Sequence, residues 1–377
     1  MEMSKPVVRI IGPTTPATGG METYIRELMQ SKLSTEFDLQ LFDISKPSIR
    51  KYQSRNYTGY SAVLKRSPFL SVASFALSFL FLARFVIYMF TRKADIVHIH
   101  TASYTSFWEK VLYILLCKWA RVPVILHVHG AMFDRFYREQ PGYVKRMIRF
   151  YLKQCEKVVV LSQYWFDFFS QLTNPDQLRI VANGVSVSDF AQQQFEKSGP
   201  PALLFLGELS RRKGIQDLIR VLPQVKQEIP ELLVYIAGPG NLPELQAACK
   251  QEGIDSDIYF MGEIYGREKL QLLQSCWVYV LPSYAEGQPM AIIEAMAAGL
   301  AVVGTCVGGV PDMLNKQSGN MLCAPGDLEE LGHGLIALLG NRELSLETGR
   351  KNQQVAIERY NIDTNMAKIK SCYLDLL

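Results

Sequence analysis

The chain has 377 residues, of which 48% are hydrophobic and 20% are charged. This composition describes a globular chain and excludes a disordered one, and the length is too great for one ordinary core, so two globular domains are expected. The seven cysteines are scattered without any C-x-x-C pair, which favours reduced thiols in a cytosolic setting over a disulfide framework.

The net charge of +4 conceals an asymmetry between the two halves of the chain. Residues 1–190 carry 24 basic and 14 acidic side chains, whereas residues 191–377 carry 16 and 22; residues 51–153 alone carry 16 and 4. A basic half indicates an anionic partner such as a membrane surface, a phosphate-bearing lipid or nucleic acid. Because no motif that reads DNA or RNA is present, nucleic acid is not an expected partner.

Strand and helix patterns alternate along the chain, which predicts parallel sheets covered on both faces. The polar, then Pro/Gly-rich segment 190–202 is the expected linker between two sets of strands. We therefore expect an α/β fold with two doubly wound, Rossmann-like domains, 1–190 and 200–355, facing a central cleft, and a C-terminal helix in 356–377 that can return to the first domain. The predicted strands are VVRIIGP, DLQLFDI, DIVHIHT, VPVILHVHG, KVVVLSQ and LRIVANG, then ALLFLGE, LLVYIAGP, IYFMGEI, WVYVLPS, LAVVGTCVGG and GNMLCAP.

One apolar segment, residues 69–90, has 22 residues and a single charge, Arg84. It is long enough to cross a membrane, but a span would divide the first sheet, and basic residues flank both of its ends. We expect instead a helix that packs on the first domain and presents an apolar face to an anionic bilayer; a fully buried helix is the alternative. The expected location is therefore cytoplasmic, peripherally associated with the inner face of the membrane.

The stretch SYAEGQPMAIIEAMAAGLAVVGTCVGG begins at the carboxyl end of a predicted strand. Pro289 suits the start of a helix and Gly299 its end, so a helix is predicted over 289–298. The free amides of its first turn, together with those of Gly287 and Gln288, form a potential phosphate site.

Two acids flank this predicted phosphate site. Glu286 precedes the helix, and Glu294 lies more than one turn inside it. Carboxylates beside a phosphate are favourable only when they bind neutral hydroxyls, so the pair suits a diphosphate with a sugar on each side. An isolated pair of glutamates at this spacing carries little information, and the surrounding residues decide the interpretation.

The surrounding pattern, P-S-x-x-E-G-x-P-M-x-x-x-E-A-M-A-x-G, resembles family 4 of the retaining glycosyltransferases, which have the two-domain GT-B architecture. The resemblance covers nearly the whole chain, in matching order. It implies a retaining transferase that moves a sugar from a nucleotide-diphosphate sugar to an acceptor hydroxyl. The other matching pieces are TGGMETYIREL, DIVHIHT, HVHG, VVVLS, VANGV, FLGELSRRKG, LVYIAGPG and GGVPDML.

The resemblance also implies a role for individual residues. Glu286 would hold the donor sugar's hydroxyls, and Glu294 the ribose. Lys213 and Arg212 would neutralise the leaving diphosphate, and His129 would lie near the reacting end of the donor sugar. The catalytic candidates are Glu286, Lys213, His129 and Arg212. The donor-binding candidates are Gly19, Gly20, Gly287, Gln288, Pro289, Met290, Ala291, Glu294 and Ile264.

The chain departs from the family pattern at Glu208, where many relatives carry Arg. A carboxylate aimed at a diphosphate would repel it, so we expect Glu208 to point away. Arg211 or Arg212 would then supply the missing charge, and Lys213 remains the firmer assignment.

Two H-x-H pairs, His98/His100 and His127/His129, lie on neighbouring predicted strands, where alternate residues share a face. Each pair could chelate a metal, but no nearby cysteine or carboxylate cluster completes a site. The helix terminus and the basic residues already provide positive charge. We therefore expect no metal and no cofactor, with the nucleotide sugar as substrate, and a packing role for His98, His100 and His127.

The expected acceptor is a saccharide or lipid-linked saccharide in cell-envelope polysaccharide synthesis, because the basic region and the apolar helix favour a membrane setting. One alternative is another GT-B enzyme, a glycan phosphorylase or a nucleotide-sugar epimerase. A phosphorylase needs a cofactor lysine environment that the sequence does not show, and an epimerase needs no acceptor. The other is an inactive scaffold of a glycan assembly complex, which the intact Glu286, Glu294 and Lys213 disfavour.

Overall fold

The computed structural model describes residues 5–14, 20–45, 68–91, 94–191, 199–254, 256–314 and 318–377. These residues form two compact units. The first unit contains the described residues up to Asn183 and the segment 362–377, and the second contains 184–361. Most of the predicted linker, 192–198, lies outside the described residues.

The first unit is built on a parallel sheet of six strands in the order β2-β1-β3-β4-β5-β6. The strands are β1 (Val7–Gly12), β2 (Asp38–Asp43), β3 (Ile96–Thr101), β4 (Val124–Val128), β5 (Lys157–Val160) and β6 (Leu178–Ile180). The first seven helices are α1 (Gly20–Gln30), α2 (Leu33–Glu36), α3 (Pro68–Thr91), α4 (Thr105–Trp119), α5 (Phe133–Arg138), α6 (Gly142–Leu152) and α7 (Gln163–Ser170).

The second unit carries another six-stranded parallel sheet, in the order β12-β11-β10-β7-β8-β9. Its strands are β7 (Ala202–Leu206), β8 (Leu233–Ala237), β9 (Ile258–Gly262), β10 (Val278–Leu281), β11 (Ala301–Thr305) and β12 (Met321–Cys323). Its helices are α8 (Val187–Ala191), α9 (Ile215–Glu228), α10 (Leu242–Gln251), α11 (Gly266–Ser275), α12 (Met290–Ala297), α13 (Val310–Met313), α14 (Leu328–Leu339) and α15 (Arg342–Arg359). The last helix, α16 (Ile362–Leu374), belongs to the first unit.

Every predicted strand is present, and the prediction of two doubly wound parallel sheets is confirmed. The central strands are almost wholly buried because helices cover both faces of each sheet, which is why their sequences read as continuous β-branched runs, whereas the edge strands β2 and β9 are mostly half-buried. In the first unit, one face packs against α3, α4, α6 and α7 through residues such as Phe85, Ile114 and Ile148. The opposite face packs against α1 and α16 through Tyr24 and Tyr373.

Helix α3 contains the apolar segment predicted over 69–90. Phe85 is fully buried, and Phe81 and Leu82 pack against the same core, whereas Leu80 is 63% exposed. The helix is therefore packed on the first unit with an exposed apolar side, and the alternative of complete burial is wrong. Within the described ranges, no helix combines the length and apolarity needed to cross a membrane.

The strand order of the second unit determines where its ligand site can form. The chain leaves β7 for β8 and β9 on one side, then returns to β10, which pairs with β7 on the other side. The connections that leave β7 and β10 therefore run in opposite directions from adjacent strand ends. Doubly wound sheets bind their ligands at such a switch point.

Candidate active site

A buried ion pair joins the two loops at the switch point of the second unit. The Lys213 ammonium donates to Glu286 Oε1 at 2.6 Å, and the Ser283 hydroxyl donates to the same oxygen at 2.7 Å. Glu286 is only 4% exposed. Because both donors contact Oε1, the second carboxylate oxygen can accept a hydrogen bond from a ligand hydroxyl.

The backbone brings Lys213 to this position. A short 3₁₀ turn, Arg211–Lys213, follows the loop after β7 and ends at Gly214, whose φ of 74° lies in the left-handed region. A Cβ at Gly214 would overlap the carbonyl oxygen of Pro282, so only glycine allows the two loops to approach this closely. The Tyr284 amide also donates to the Arg212 carbonyl at 2.8 Å, which fixes one loop against the other.

Arg212 is held by partners on both loops. Its guanidinium donates to Glu208 at 3.0 Å and to the Ala285 carbonyl at 3.2 Å. Glu208 is thus paired with an arginine four residues along the chain. This pair partly offsets the charge of Arg212. The cation in direct contact with Glu286 is Lys213.

Helix α12 begins directly after the Glu286 loop. It runs from Met290 to Ala297, with Pro289 at the N-cap, and Gly299 follows it with a φ of 72°, close to the predicted 289–298. The Gly287, Gln288 and Pro289 positions are buried. The first turn, which includes Met290 and Ala291, directs its backbone amides toward the amino-terminal end and gives this end a positive dipole.

A second ion pair lies one turn deeper along α12. Glu294 Oε1 accepts from the Lys269 ammonium of α11 at 2.7 Å. Ile264, which follows the end of β9, is buried at 5% exposure. The second unit therefore places two carboxylates on either side of the α12 amino terminus, each paired with a lysine. Sequence reasoning missed Lys269, for which no motif signals a role, and Ser283, which the quoted P-S-x-x-E pattern does contain.

The Gly308-Gly309 pair explains the end of the 283–309 stretch. Gly308 has a φ of 50°, and a Cβ there would overlap the carbonyl oxygen of Glu286. The Gly309 amide donates to the Gly287 carbonyl at 3.0 Å. These glycines therefore let the loop after β11 pack directly against the backbone of Glu286 and Gly287.

Replacing Gly308 with Ala is expected to displace this support. A left-handed alanine and the overlap with the Glu286 carbonyl together cost about 2–4 kcal/mol in the free energy of unfolding. The shift of Glu286 should also raise the KM for the nucleotide-sugar donor that the family resemblance implies. Thermal melts and donor titrations measure both effects. Gly142→Ala is the control, because a Cβ there meets no atom within 4 Å, and equal behaviour of the two variants would contradict the role of Gly308.

The first unit holds a compact histidine cluster at β3 and β4. His100 lies opposite His127 in the parallel register, and its Nδ1 is 3.0 Å from His129 Nε2. His98 Nδ1 is 2.8 Å from the Tyr373 hydroxyl, and the His127 ring meets Tyr24 edge-on at 4.8 Å. The two predicted pairs are therefore one cluster, placed between the sheet and the helices α1 and α16.

Burial keeps these imidazoles neutral. Desolvation lowers the pKa of His98 and His129 to about 3 and places the pKa values of His100 and His127 well below the usual 6.5. The neighbouring histidines lower the pKa values of His98, His100 and His127 further. His129, one residue beyond β4, can therefore hydrogen bond as a neutral group but supplies no positive charge near neutral pH.

Ligand nitrogens of His98, His100 and His127 lie within 4.8 Å of one another, so these three residues are the described group that could hold a metal ion. No carboxylate or cysteine belongs to the group. The predicted absence of a metal requirement stays a prediction.

The predicted glycine pair at the first strand-to-helix turn is described only in part. Gly20 is the first residue of α1, and Gly19 lies outside the described residues.

Two family models match the chain. The model described as Glycosyltransferase Family 4 matches residues 18–189, and the model described as Glycosyl transferases group 1 matches residues 200–341. Together they cover every strand of the two sheets except β1. The chain belongs to the family 4, group 1 glycosyltransferases, and its two Rossmann-like units are those of the GT-B fold.

Individual relatives are distant in sequence. The chain is 25% identical to glycogen synthase from Mycobacterium tuberculosis over 271 residues, which are 69% of this chain and only 65% of that relative's length. It is 23% identical to GDP-mannose:cellobiosyl-diphosphopolyprenol alpha-mannosyltransferase from Xanthomonas oryzae, over 72% of this chain and 71% of the relative. The crystal structure of HepE from Anabaena with UDP and glucose is similar in fold, with a TM-score of 0.73, 18% identity and coverage of 99% and 100%.

Proposed function

We propose that this protein is a retaining glycosyltransferase that uses a nucleotide-diphosphate sugar as donor. The observation that carries the proposal is the buried Lys213–Glu286 pair beside the amino terminus of α12, at the switch point of the second sheet. This arrangement combines a cation and free amides, which suit a diphosphate, with a carboxylate that suits sugar hydroxyls.

The donor is proposed to lie along α12. The amides of Met290 and Ala291 bind its phosphates, Glu286 accepts hydrogen bonds from the donor sugar, and Glu294 accepts from the ribose. Lys213 can bind the diphosphate without leaving Glu286, because an ammonium group has three donors. The structure of HepE with UDP and glucose and the GDP-mannose named for the Xanthomonas relative support a nucleotide sugar as the donor class.

In the proposed reaction, the acceptor oxygen forms a bond to the anomeric carbon while the bond from that carbon to the diphosphate oxygen breaks. The bonding electrons pass to the diphosphate, and the acceptor proton passes to one of its oxygens. The diphosphate leaves from the same face of the sugar on which the acceptor oxygen attacks. Negative charge grows on the diphosphate in the transition state. Lys213 and the α12 amides stabilise that charge, which lowers the barrier.

The proposed acceptor is a lipid-linked saccharide in cell-envelope polysaccharide synthesis, and the enzyme works as a peripheral protein on an anionic membrane surface. Residues 51–153 contain 16 basic and 4 acidic side chains, and this positive charge supports a membrane setting. So does the polyprenol-linked acceptor in the name of the Xanthomonas relative.

Nucleotide release from a panel of UDP- and GDP-sugars, with and without a lipid-diphosphate saccharide, tests the proposal. We expect release that depends on the acceptor, and a product whose anomeric proton coupling in NMR matches that of the donor. A product with inverted configuration would refute retention. Sugar conversion without acceptor would identify an epimerase, and sugar phosphate formed from a glycan and inorganic phosphate would identify a phosphorylase.

Activity is expected to survive EDTA, because Lys213 and the α12 amino terminus supply the positive charge that a divalent cation would otherwise provide. Turnover should be equal before and after chelation and after addition of Mg²⁺ or Mn²⁺. A loss with EDTA that Mn²⁺ restores would show that a metal stabilises the leaving diphosphate.

A further inference from the structure

Three helices of the first unit expose apolar side chains, and on α4 and α6 these side chains recur at helical spacing. Leu80 of α3 is 63% exposed, Tyr143 and Phe150 of α6 are 69% and 56% exposed, and α4 exposes Leu112 and Leu115. Each helix also buries a different apolar stripe against the core of the first unit. A surface helix that meets only water is expected to be polar on its outer side, so this second stripe needs a separate explanation.

The three helices form one surface. The Ser78 hydroxyl of α3 donates to Glu109 of α4 at 3.1 Å, and the Trp108 ring of α4 lies 6.3 Å from the Tyr151 ring of α6. We call their exposed side the apolar–basic face. Its apolar members are Leu80, Leu112, Leu115, Tyr143, Met147 and Phe150, and its basic members are Arg84, Arg146, Arg149 and Lys153.

The charge of α6 identifies the partner that fits this face. Residues 142–153 contain four basic and no acidic residues, and Arg146 and Arg149 are exposed beside Met147 and Phe150. An anionic bilayer accommodates both groups, because apolar side chains enter the boundary between headgroups and acyl chains while guanidinium groups bind lipid phosphates. A second copy of the chain would bring the same uncompensated arginines against themselves, which is unfavourable.

We propose that the apolar–basic face docks this protein on an anionic bilayer, through α4 and α6 as well as α3. The inference rests on the proposed lipid-linked acceptor and deepens it by assigning the membrane contact to particular side chains. It also extends the contact beyond residues 69–90, since α6 contributes two exposed aromatic side chains, Tyr143 and Phe150, and the uncompensated positive charge of the face.

The test is sedimentation of the full-length protein with vesicles of phosphatidylcholine alone, or of phosphatidylcholine and phosphatidylglycerol in equal parts. We expect the protein to sediment with the anionic vesicles and to remain in solution with the neutral ones. The double variant R146Q/R149Q should lose about 30-fold in vesicle affinity, because each basic residue near an anionic surface contributes about fivefold. The double variant K250Q/R350Q removes the same charge from exposed positions of the second unit and should bind like the parent.

A second pair of variants tests the apolar half of the face. Tyr143→Ser with Phe150→Ser should weaken binding at least about tenfold, whereas Ile357→Ser, at an exposed apolar position of α15, should not. If the serine variant fails to fold in a thermal melt, the arginine variants decide the question alone.

Equal binding to neutral and anionic vesicles, or parental affinity of R146Q/R149Q, would overturn the proposal. A concentration-dependent dimer without vesicle binding would also overturn it and would assign the face to a second copy. Sedimentation needs no turnover, so the two proposals fail separately. A protein that binds vesicles but releases no nucleotide from any donor refutes the proposed transferase and leaves the docking face standing. One that transfers sugar to a water-soluble acceptor without binding vesicles refutes the docking face and the membrane setting and leaves the transferase standing.

Discussion

Replacing Lys213 with Ala is expected to lower kcat by about 100-fold or more, since groups that stabilise a developing negative charge in a dry site have effects of this size. Lys213 is mostly buried and donates to Glu286 at 2.6 Å, so its charge is little screened by water. Initial rates at saturating donor measure the effect. Lys213→Arg retains the charge in a different shape and should recover part of the loss.

Lys269→Ala is the matched control for this prediction. It removes a lysine of the same second unit that also donates to a glutamate, Glu294, at 2.7 Å. On the proposed binding mode, Glu294 holds the ribose equally in the ground state and the transition state, so this variant should raise the donor KM and change kcat little. If Lys213→Ala stays within about twofold of the parent in kcat while both variants melt like the parent, Lys213 does not stabilise the leaving group.

The strands could be predicted from the sequence because burial on both faces leaves a direct record in β-branched composition. Helix α12 was placed to within one residue at each end. Its start shifts from Pro289 to Met290 because Pro289 adopts an extended ψ of 120° as the N-cap. Gly299 ends the helix region with a positive φ, which is the conformation that glycine permits at low cost.

The contacts of the site could not be predicted from local pattern. Lys213 and Glu286 are 73 positions apart, and only the pairing of β7 with β10 makes their loops neighbours. Family resemblance indicated that both residues matter but not that they bind each other. Lys269 belongs to no recognised motif, and its contact with Glu294 depends on how α11 packs beside α12.

The histidine cluster shows a similar limit. Alternation along single strands predicted two separate H-x-H pairs. The register that places His100 opposite His127 joins them, and packing of α1 and α16 brings Tyr24 and Tyr373 onto the same face. Tertiary structure therefore turns two local pairs into one buried group of four titratable side chains.

The first unit is expected to lose stability steeply as the pH falls below about 6.5. Burial lowers the folded-state pKa of His98 and His129 to about 3, and those of His100 and His127 also lie well below 6.5. Between about pH 6.5 and about pH 3, the unfolded chain therefore binds protons that the folded unit does not. The free energy of unfolding therefore decreases as the pH decreases. By about pH 5, His98 and His129, whose pKa values are about 3, together remove about 4 kcal/mol from the free energy of unfolding, which is a large fraction of the stability of a domain, and His100 and His127 act in the same direction.

Urea unfolding followed by tryptophan fluorescence at several pH values measures this dependence, since Trp108, Trp119 and Trp165 lie in the first unit and Trp277 in the second.

His127→Phe should reduce the pH slope of the free energy of unfolding by about one proton, because it removes one imidazole and keeps a ring against Tyr24. Neither ring nitrogen of His127 has a hydrogen-bond partner among the described residues, so the variant breaks no such bond. His333→Gln, at an exposed position of α14 in the second unit, should leave the slope unchanged. The pH slope distinguishes the loss of a titrating imidazole from a packing defect. A pure packing defect in His127→Phe would change the free energy of unfolding by the same amount at every pH. An unaltered slope would therefore show that His127 is protonated alike in the folded and unfolded states.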